Sequence, residues 1–167
     1  MYHYNYNAQS NAANAKHDKR VTAGAAQSEI YPFVVDIGRV TVHNENFRTV
    51  LRTGNHMQMT VMNILPEDDI GLEVHPLTDQ FICIQKGYGY IQMGESENHL
   101  PLKQPVFENT AMIIPAGTWH NIVNTGPEPL KLFTLYAPPE HARGAVHFTK
   151  ADAEEAEHYT AQSSYDL

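Results

Sequence analysis

Two stretches of the chain, residues 71–94 (GLEVHPLTDQFICIQKGYGYIQMG) and residues 115–124 (PAGTWHNIVN), decide the interpretation of the fold. The first predicts a pair of strands that ends at a Gly-Tyr-Gly turn, and it carries three polar residues, Glu73, His75 and Gln80. The second delivers His120 just after a Pro-Ala-Gly turn. Because side chains alternate faces along a strand, we expect Glu73 and His75 to point the same way.

These residue types are the usual ligands of a divalent metal ion, which binds neutral imidazoles and carboxylate or amide oxygens that converge on one point. We therefore predict that four groups close on a single ion: Glu73, His75, Gln80 and His120. Each also has a structural interpretation. Glu73 could be a surface charge, either histidine a core residue satisfied by the backbone, and Gln80 a hydrogen-bonding neighbour of the ligands. The shared parity of Glu73 and His75 and the turn before His120 favour a metal site.

The spacing of these residues resembles the paired motifs of the cupin superfamily, whose members are small double-sheet β-barrels. At the spacing of the first motif the chain carries Glu73, His75, Gln80 and Gly87. Glu73 stands where the family more often has a histidine, and Gln80 stands where it usually has a glutamate. The carboxylate has in effect moved from one position to the other. In the second motif, Asn109 stands where the family has a leading glycine.

The resemblance covers about 120 residues, from 29 to 150. More specifically, the stretch from Asn46-Phe47-Arg48 to Ala137-Pro138-Pro139-Glu140-His141 is similar to a group of single-domain bacterial cupins that are loosely described as mannose-6-phosphate-isomerase-like. This implies an all-β fold, the double-stranded β-helix or jelly-roll cupin barrel. Many short predicted strands separated by Gly and Pro turns independently indicate a sandwich or barrel.

The predicted organisation has three parts. Residues 1–28 are rich in Asn, Ala, Gln and Ser and are expected to be a disordered N-terminal tail. Residues 29–148 form the barrel, and residues 149–167 form a short helix and a C-terminal tail. The helix is predicted over 150–158, with Thr149 as its N-cap. Cupins commonly pair through edge strands, so the apolar strand expected at 31–35 predicts a homodimer.

Composition narrows the function classes. The 167-residue chain carries a net charge of −8, which disfavours nucleic acid and anionic membrane surfaces as partners. Its one cysteine, Cys83, excludes an intramolecular disulfide framework. The chain has no apolar run long enough to span a bilayer and no apolar stretch of signal-peptide length, so we expect a cytoplasmic protein.

The parity of the predicted strands also suggests which residues line a pocket around the ion. The candidates are Gln58, Thr60, Met62, Ile82, Ile84, Tyr90, Asn124 and Tyr136. His141 and His147 could approach the barrel mouth, but we expect them at the surface. Phosphate recognition is weakly supported, because the basic candidates in the barrel region are scattered: Arg48, Arg52 and Lys131.

A divalent ion (Mn, Zn, Ni or Fe) with open positions can polarise a carbonyl or hydroxyl and lower the pKa of bound water. The leading hypothesis is a metal-assisted isomerase, epimerase or lyase acting on a small carbohydrate-like substrate, a sugar or sugar acid. Glu73 and His120 are its candidate catalytic residues, and Glu73 or a nearby His or Tyr would move the proton. An iron(II) dioxygenase and a non-catalytic metal- or ligand-binding protein are the alternatives. No Ser/His/Asp set, phosphate-binding glycine loop or dinucleotide fingerprint is present.

Overall fold

The computed structural model of the chain describes residues 32–163, and it describes side chains for residues 32–157. The predicted disordered tail at 1–28 lies outside the described residues, as does the end of the predicted C-terminal tail. Two helices and nine strands follow one another within them: α1 Ile37–His43, β1 Arg48–Thr53, β2 Gln58–Ile64, β3 Asp79–Lys86, β4 Tyr88–Gly94, β5 Leu102–Phe107, β6 Ala111–Ile114, β7 Trp119–Asn124, β8 Leu130–Ala137, β9 Val146–His147 and α2 Lys150–Ser163.

The strands form two antiparallel sheets that enclose one core, so the predicted jelly roll is confirmed. The larger sheet has the order β6-β3-β8-β2-β1-β9, and the smaller one has the order β5-β4-β7. The segment before β3 joins the smaller sheet through two isolated bridges, Asp69 with Val123 and Glu73 with His120. Neither helix in the described part of the chain is both long and apolar enough to cross a bilayer.

The interior of the larger sheet changes from polar to apolar along its strands. Three inward-facing rows run across β2, β8 and β3, and cross-strand register sets their members. The first row is Gln58, Tyr136 and Gln80, the second is Thr60, Thr134 and Ile82, and the third is Met62, Leu132 and Ile84. All nine side chains are buried. Because the third row faces apolar residues of the smaller sheet such as Ile91 and Ile122, the hydrophobic core lies at that end and polar chemistry at the other.

Three local predictions need correction. The Asp36-Ile37-Gly38 segment, whose sequence suggests a strand end or turn, instead begins helix α1, where the Asp36 carboxylate accepts a hydrogen bond from the amide of Arg39 at 3.1 Å. Several residues of this segment are β-branched and have low helix propensity, so propensity alone does not predict a helix here. Residues 70–75 form a single isolated bridge, at Glu73, rather than a continuous strand. Residues 32–36 form no strand, so the edge expected to pair two subunits is not found in the described part of that segment.

Two other local signals agree with the structure. Asn109, which replaces a glycine of the second motif, has φ of 67°. Asn tolerates this left-handed conformation better than most residues do. The amide of Asp152 donates to Thr149 Oγ1 at 3.2 Å, and the amide of Thr149 donates to Asp152 Oδ2 at 2.9 Å. This reciprocal pair caps α2 at the predicted residue.

Candidate metal centre

Three side chains converge at the polar end of the barrel: Glu73, His75 and His120. Their potential ligand atoms all lie within 4.8 Å of one another. Glu73 Oε1 is 3.2 Å from His120 Nε2 and 3.3 Å from His75 Nε2. Two backbone hydrogen bonds fix the first pair, from the Glu73 amide to the His120 carbonyl at 3.0 Å and in return at 2.9 Å. The structure therefore brings together residues that are 47 positions apart in the chain.

The hydrogen bonds of both imidazoles leave the Nε2 atoms directed at Glu73. His120 Nδ1 lies 2.9 Å from the carbonyl oxygen of Thr118, which can only accept, so Nδ1 donates this hydrogen bond. His75 Nδ1 lies 3.2 Å from Glu140 Oε1. His75 Nε2 is buried and makes no hydrogen bond of acceptable geometry. This arrangement, a backbone or carboxylate acceptor behind each ring, is the one that orients histidines toward a metal ion.

The charges of this cluster are also suited to binding a metal ion. Burial alone would raise the pKa of Glu73, but His120, His75 and Arg48 together hold it well below its usual range. Burial alone would lower the pKa of His75, but the Glu140 and Glu73 carboxylates raise it to about 9. Glu73 is thus an anion at neutral pH. A divalent ion would need both imidazoles in their neutral form and the carboxylate ionised, so its binding would release the proton from His75.

Gln80 supplies a further oxygen at this end of the barrel. Its side chain is 2% exposed and faces inward from β3, in register with Tyr136 on one side and Ile114 on the other. Its Oε1 atom is buried without a hydrogen-bond partner. A buried amide oxygen without a partner is a donor of the kind that a divalent ion such as Mn, Zn, Ni or Fe accepts. The cluster of Glu73, His75 and His120 fits such an ion, and Gln80 lies in the row of side chains next to it, in register with Tyr136.

The predicted pocket residues lie at different depths in the barrel. Tyr136 lies in the site, where its ring meets that of His75 edge-on with centroids 5.5 Å apart. Thr60 faces inward one row further in, and three others belong to the apolar core: Met62, Ile82 and Ile84. Gln58 is buried, but its amide is occupied by Thr53 Oγ1 and by the backbone of His141.

Tyr90 and Asn124 are corrections to the predicted pocket. Gly89 and Ile91 are the buried positions of β4, so Tyr90 faces outward, where Lys103 Nζ lies 3.7 Å from its ring centroid. Asn124 is fully buried, but its side chain bonds to the backbone of Ile64, Gly126 and Glu128. Asn124 therefore connects the ends of neighbouring strands through hydrogen bonds and does not line the pocket.

Three residues of the site were not predicted there: Arg48, Glu140 and His141. Arg48 is 1% exposed, and its Nη2 is 3.8 Å from Glu73 Oε2. His141 was expected at the surface, but its ring lies edge-on to Tyr136 at 4.8 Å, and its Nε2 is buried without a partner. Burial and the charge of Arg48 lower the pKa of His141 to about 3, so the ring is neutral. The one signal for these residues is that they stand at the two ends of the stretch that resembles small bacterial cupins.

A cleft of about 140 Å³ opens beside Glu73 and Arg48. One wall is the segment that contains Leu72, and the opposite wall is α2, through Ala153 and Glu157. Among the residues of the cluster, Glu73 is the one that lines this cleft, together with its neighbour Arg48.

Comparison with known proteins agrees with this architecture. The family profile of the cupin domain matches residues 60–136. The uncharacterized protein YrkC of Bacillus subtilis (strain 168) is 53% identical over 126 residues, which are 75% of this chain and 68% of that protein. The uncharacterized protein L612 of Acanthamoeba polyphaga mimivirus is 36% identical over 121 residues, 72% of each chain.

Solved structures give the same result. The crystal structure of BH2720 from Bacillus halodurans aligns with a TM-score of 0.75 at 50% identity and covers 76% of this chain and 96% of its own. That of TT1209 from Thermus thermophilus aligns with a TM-score of 0.53 at 21% identity and covers 63% and 96% respectively, a likeness of fold alone.

Proposed function

The chain belongs to the cupin family, and from this premise we propose that it is a metal-dependent enzyme acting on a small polyhydroxy or keto compound, a sugar or sugar acid. The reaction class is isomerisation, epimerisation or elimination. Glu73, His75 and His120 would hold one divalent ion, with Gln80 as a fourth ligand. The observation that supports this most is the pair of Nε2 atoms directed at one buried carboxylate.

When bound, the ion would polarise a carbonyl or hydroxyl of the substrate and lower the pKa of a bound water. Glu73 and His120 would be occupied as ligands, so neither is free for the proton-transfer role expected of them. His141 is a neutral imidazole with a free, buried Nε2, and it lies against Tyr136. Because its pKa is lowered to about 3, His141 is too weak a base to take up the proton, and its Nε2 would accept a hydrogen bond from a substrate hydroxyl. Burial and the Glu73 carboxylate raise the pKa of Tyr136 above its usual range, so its hydroxyl stays a hydrogen-bond donor that would orient the substrate oxygen.

One observation favours a second candidate. Two histidines and one carboxylate on a single ion are the ligand set of many non-haem iron(II) oxygenases. Glu73, His75 and His120 have this composition, so an iron(II) dioxygenase is the alternative reaction class.

Elemental analysis of anaerobically purified protein tests the proposal. We expect about one equivalent of a divalent metal in the parent and loss of it in a Glu73→Ala/His120→Ala variant. His99→Ala is the matched control, because His99 is an exposed histidine outside the cluster. Oxygen uptake with bound iron would select the dioxygenase, and turnover of sugars or sugar acids without oxygen would select the isomerase class. Absence of metal after incubation with Mn, Zn, Ni and Fe would overturn both, and metal without any turnover would indicate a binding protein.

A further inference from the structure

Arg48 is an unusual residue to find beside a metal cluster, because a buried guanidinium is costly unless it is fully paired. It enters the barrel from the start of β1, where it is paired in register with Met62. Its Nη2 lies 3.8 Å from Glu73 Oε2, beyond hydrogen-bond distance, and its Nε is buried without a partner. Arg48 therefore retains hydrogen-bonding capacity that the barrel itself does not use.

The close partner of Arg48 is a carboxylate from outside the barrel. Arg48 Nη1 is 2.8 Å from Oε1 of Glu157 on α2, and the Glu157 side chain is 52% exposed. The beginning of α2 is anchored by Lys150, whose Nζ lies 2.6 Å from Asp69 Oδ1, and by the buried Ala153. Glu157 lies further along the helix and reaches into the cleft from its solvent side. It is thus the exposed and replaceable member of a pair whose other member is fixed.

The charge balance of the loaded site calls for an anion at Arg48 whenever Glu157 leaves. With a divalent ion bound and His75 neutral as its ligand, the three positive charges of the ion and Arg48 are matched by the carboxylates of Glu73, Glu140 and Glu157. Because Glu157 is half exposed and so screened by solvent, it is the carboxylate that an incoming anion can replace without leaving a positive charge unbalanced. A planar carboxylate can take two hydrogen bonds from one guanidinium, and Arg is suited to this geometry.

We propose that Arg48 is the anion-binding residue of the centre, and that Glu157 occupies its guanidinium until the carboxylate of a small hydroxy acid or keto acid displaces it. This inference rests on the proposed function and narrows its substrate to acids. A carboxylate is favoured over a phosphate, because the only other cation among the described residues that line the cleft is Lys150, which Asp68 and Asp69 already hold. Displacement of Glu157 would open the cleft toward solvent at the moment when ligand fills its inner end.

Calorimetric titration of the Mn²⁺-loaded protein tests this with glycolate and its uncharged analogue glycolamide. We expect the parent to bind glycolate at least about tenfold more tightly than glycolamide. Glu157→Gln removes the competing carboxylate and should tighten glycolate binding about fivefold, with no effect on glycolamide. Glu154→Gln is the matched control, since Glu154 lines the same cleft from the same helix and has no contact with Arg48 among the described ion pairs.

Arg48→Gln should abolish the preference for glycolate while metal content stays at the parent level, and Arg48→Lys should keep part of the preference. Because Arg48 is buried and its replacement can alter folding, the comparison of the parent with Glu157→Gln, a change at an exposed residue, decides the test. Equal glycolate affinity in the parent and Glu157→Gln, or equal affinity of the parent for both compounds, would overturn the inference. If the protein binds no metal, the proposed function fails on its own. The metal-free titration then still applies, and an absent Glu157→Gln effect there would overturn the inference as well.

Discussion

The contact between Glu140 and His75 gives the sharpest test of the metal centre. Glu140 Oε1 lies 3.2 Å from His75 Nδ1, so the carboxylate fixes the ring with its Nε2 toward the cluster. Glu140→Gln keeps an acceptor of nearly the same shape at this position but removes its charge. The perturbation therefore leaves all four proposed ligands unchanged.

The size of the effect follows from the kind of hydrogen bond that is lost. A hydrogen bond to a charged group contributes about 1.5–3 kcal/mol, against about 1 kcal/mol for a neutral one. The difference of about 1.4 kcal/mol corresponds to about tenfold weaker metal binding in Glu140→Gln. Glu140→Ala removes the acceptor altogether, and about 100-fold is expected, the upper range for such outer partners of metal ligands.

The assay is a competitive titration of Zn²⁺ against a fluorescent chelator at constant ionic strength and at about pH 10, above the pKa of about 9 that Glu140 and Glu73 give His75, so that no proton on this ring competes with the ion. Glu154→Gln serves as control, because it makes the same charge change on the nearby helix without touching either histidine. Metal affinity that is equal in Glu140→Gln and the parent would refute the role of Glu140 in orienting His75. An equal loss of metal affinity in Glu154→Gln would show that the effect comes from the change in the net charge of the protein and not from the contact with His75.

Three further predictions concern residues around the site. Asn124→Ala should lower the free energy of unfolding by about 3 kcal/mol, because three backbone groups lose their buried hydrogen-bond partner. Metal stoichiometry should stay unchanged. Chemical denaturation measures the stability and elemental analysis the metal content, and loss of metal from a folded variant would contradict this assignment. Asp69→Asn should lower the free energy of unfolding by about 1 kcal/mol at pH 7. Burial alone would raise the pKa of Asp69, but Lys150 and a backbone amide lower it. The stabilisation by Asp69 is therefore present above the pKa of the unfolded state and is lost as the pH falls through the pKa of the folded state. Urea midpoints should therefore differ at pH 7 and converge once the pH lies below the lowered pKa of Asp69, and a difference that persists there would be inconsistent with the ion pair. Gly89→Ala should destabilise the fold by about 3 kcal/mol in thermal unfolding, because its Cβ would lie 2.1 Å from the carbonyl oxygen of Val123 on the adjacent strand; an unchanged midpoint would show that the strands can separate at little cost.

The sequence was most informative where a motif and a strand period act together. The parity of Glu73 and His75 and the turn before His120 predicted a cluster that the structure assembles, even though residues 70–75 form only a single isolated bridge. A single bridge is enough, because it sets the direction of the Glu73 side chain as a full ladder would.

Parity failed where it lacked a reference point. The face of Tyr90 depends on which neighbour in β4 is buried, and the turn before it allowed either choice. Glu140 and His141 follow β8 in a loop, where no period exists to predict direction. Arg48 could be predicted as a basic residue of the barrel, but its burial beside Glu73 depends on α2, which lies about 100 positions further along the chain.

The two hydrogen bonds between Gln58 and the backbone of His141 have a consequence for the rate of metal binding. The Gln58 amide donates to the His141 carbonyl at 2.8 Å and accepts from the His141 amide at 2.9 Å, as a neighbouring strand would. The loop bearing Glu140 and His141 is thereby ordered when the barrel folds, before any ion arrives. Little conformational entropy remains to be lost on binding. Metal uptake should then be a single fast phase set by diffusion and loss of hydration water, without a slower loop-closing step.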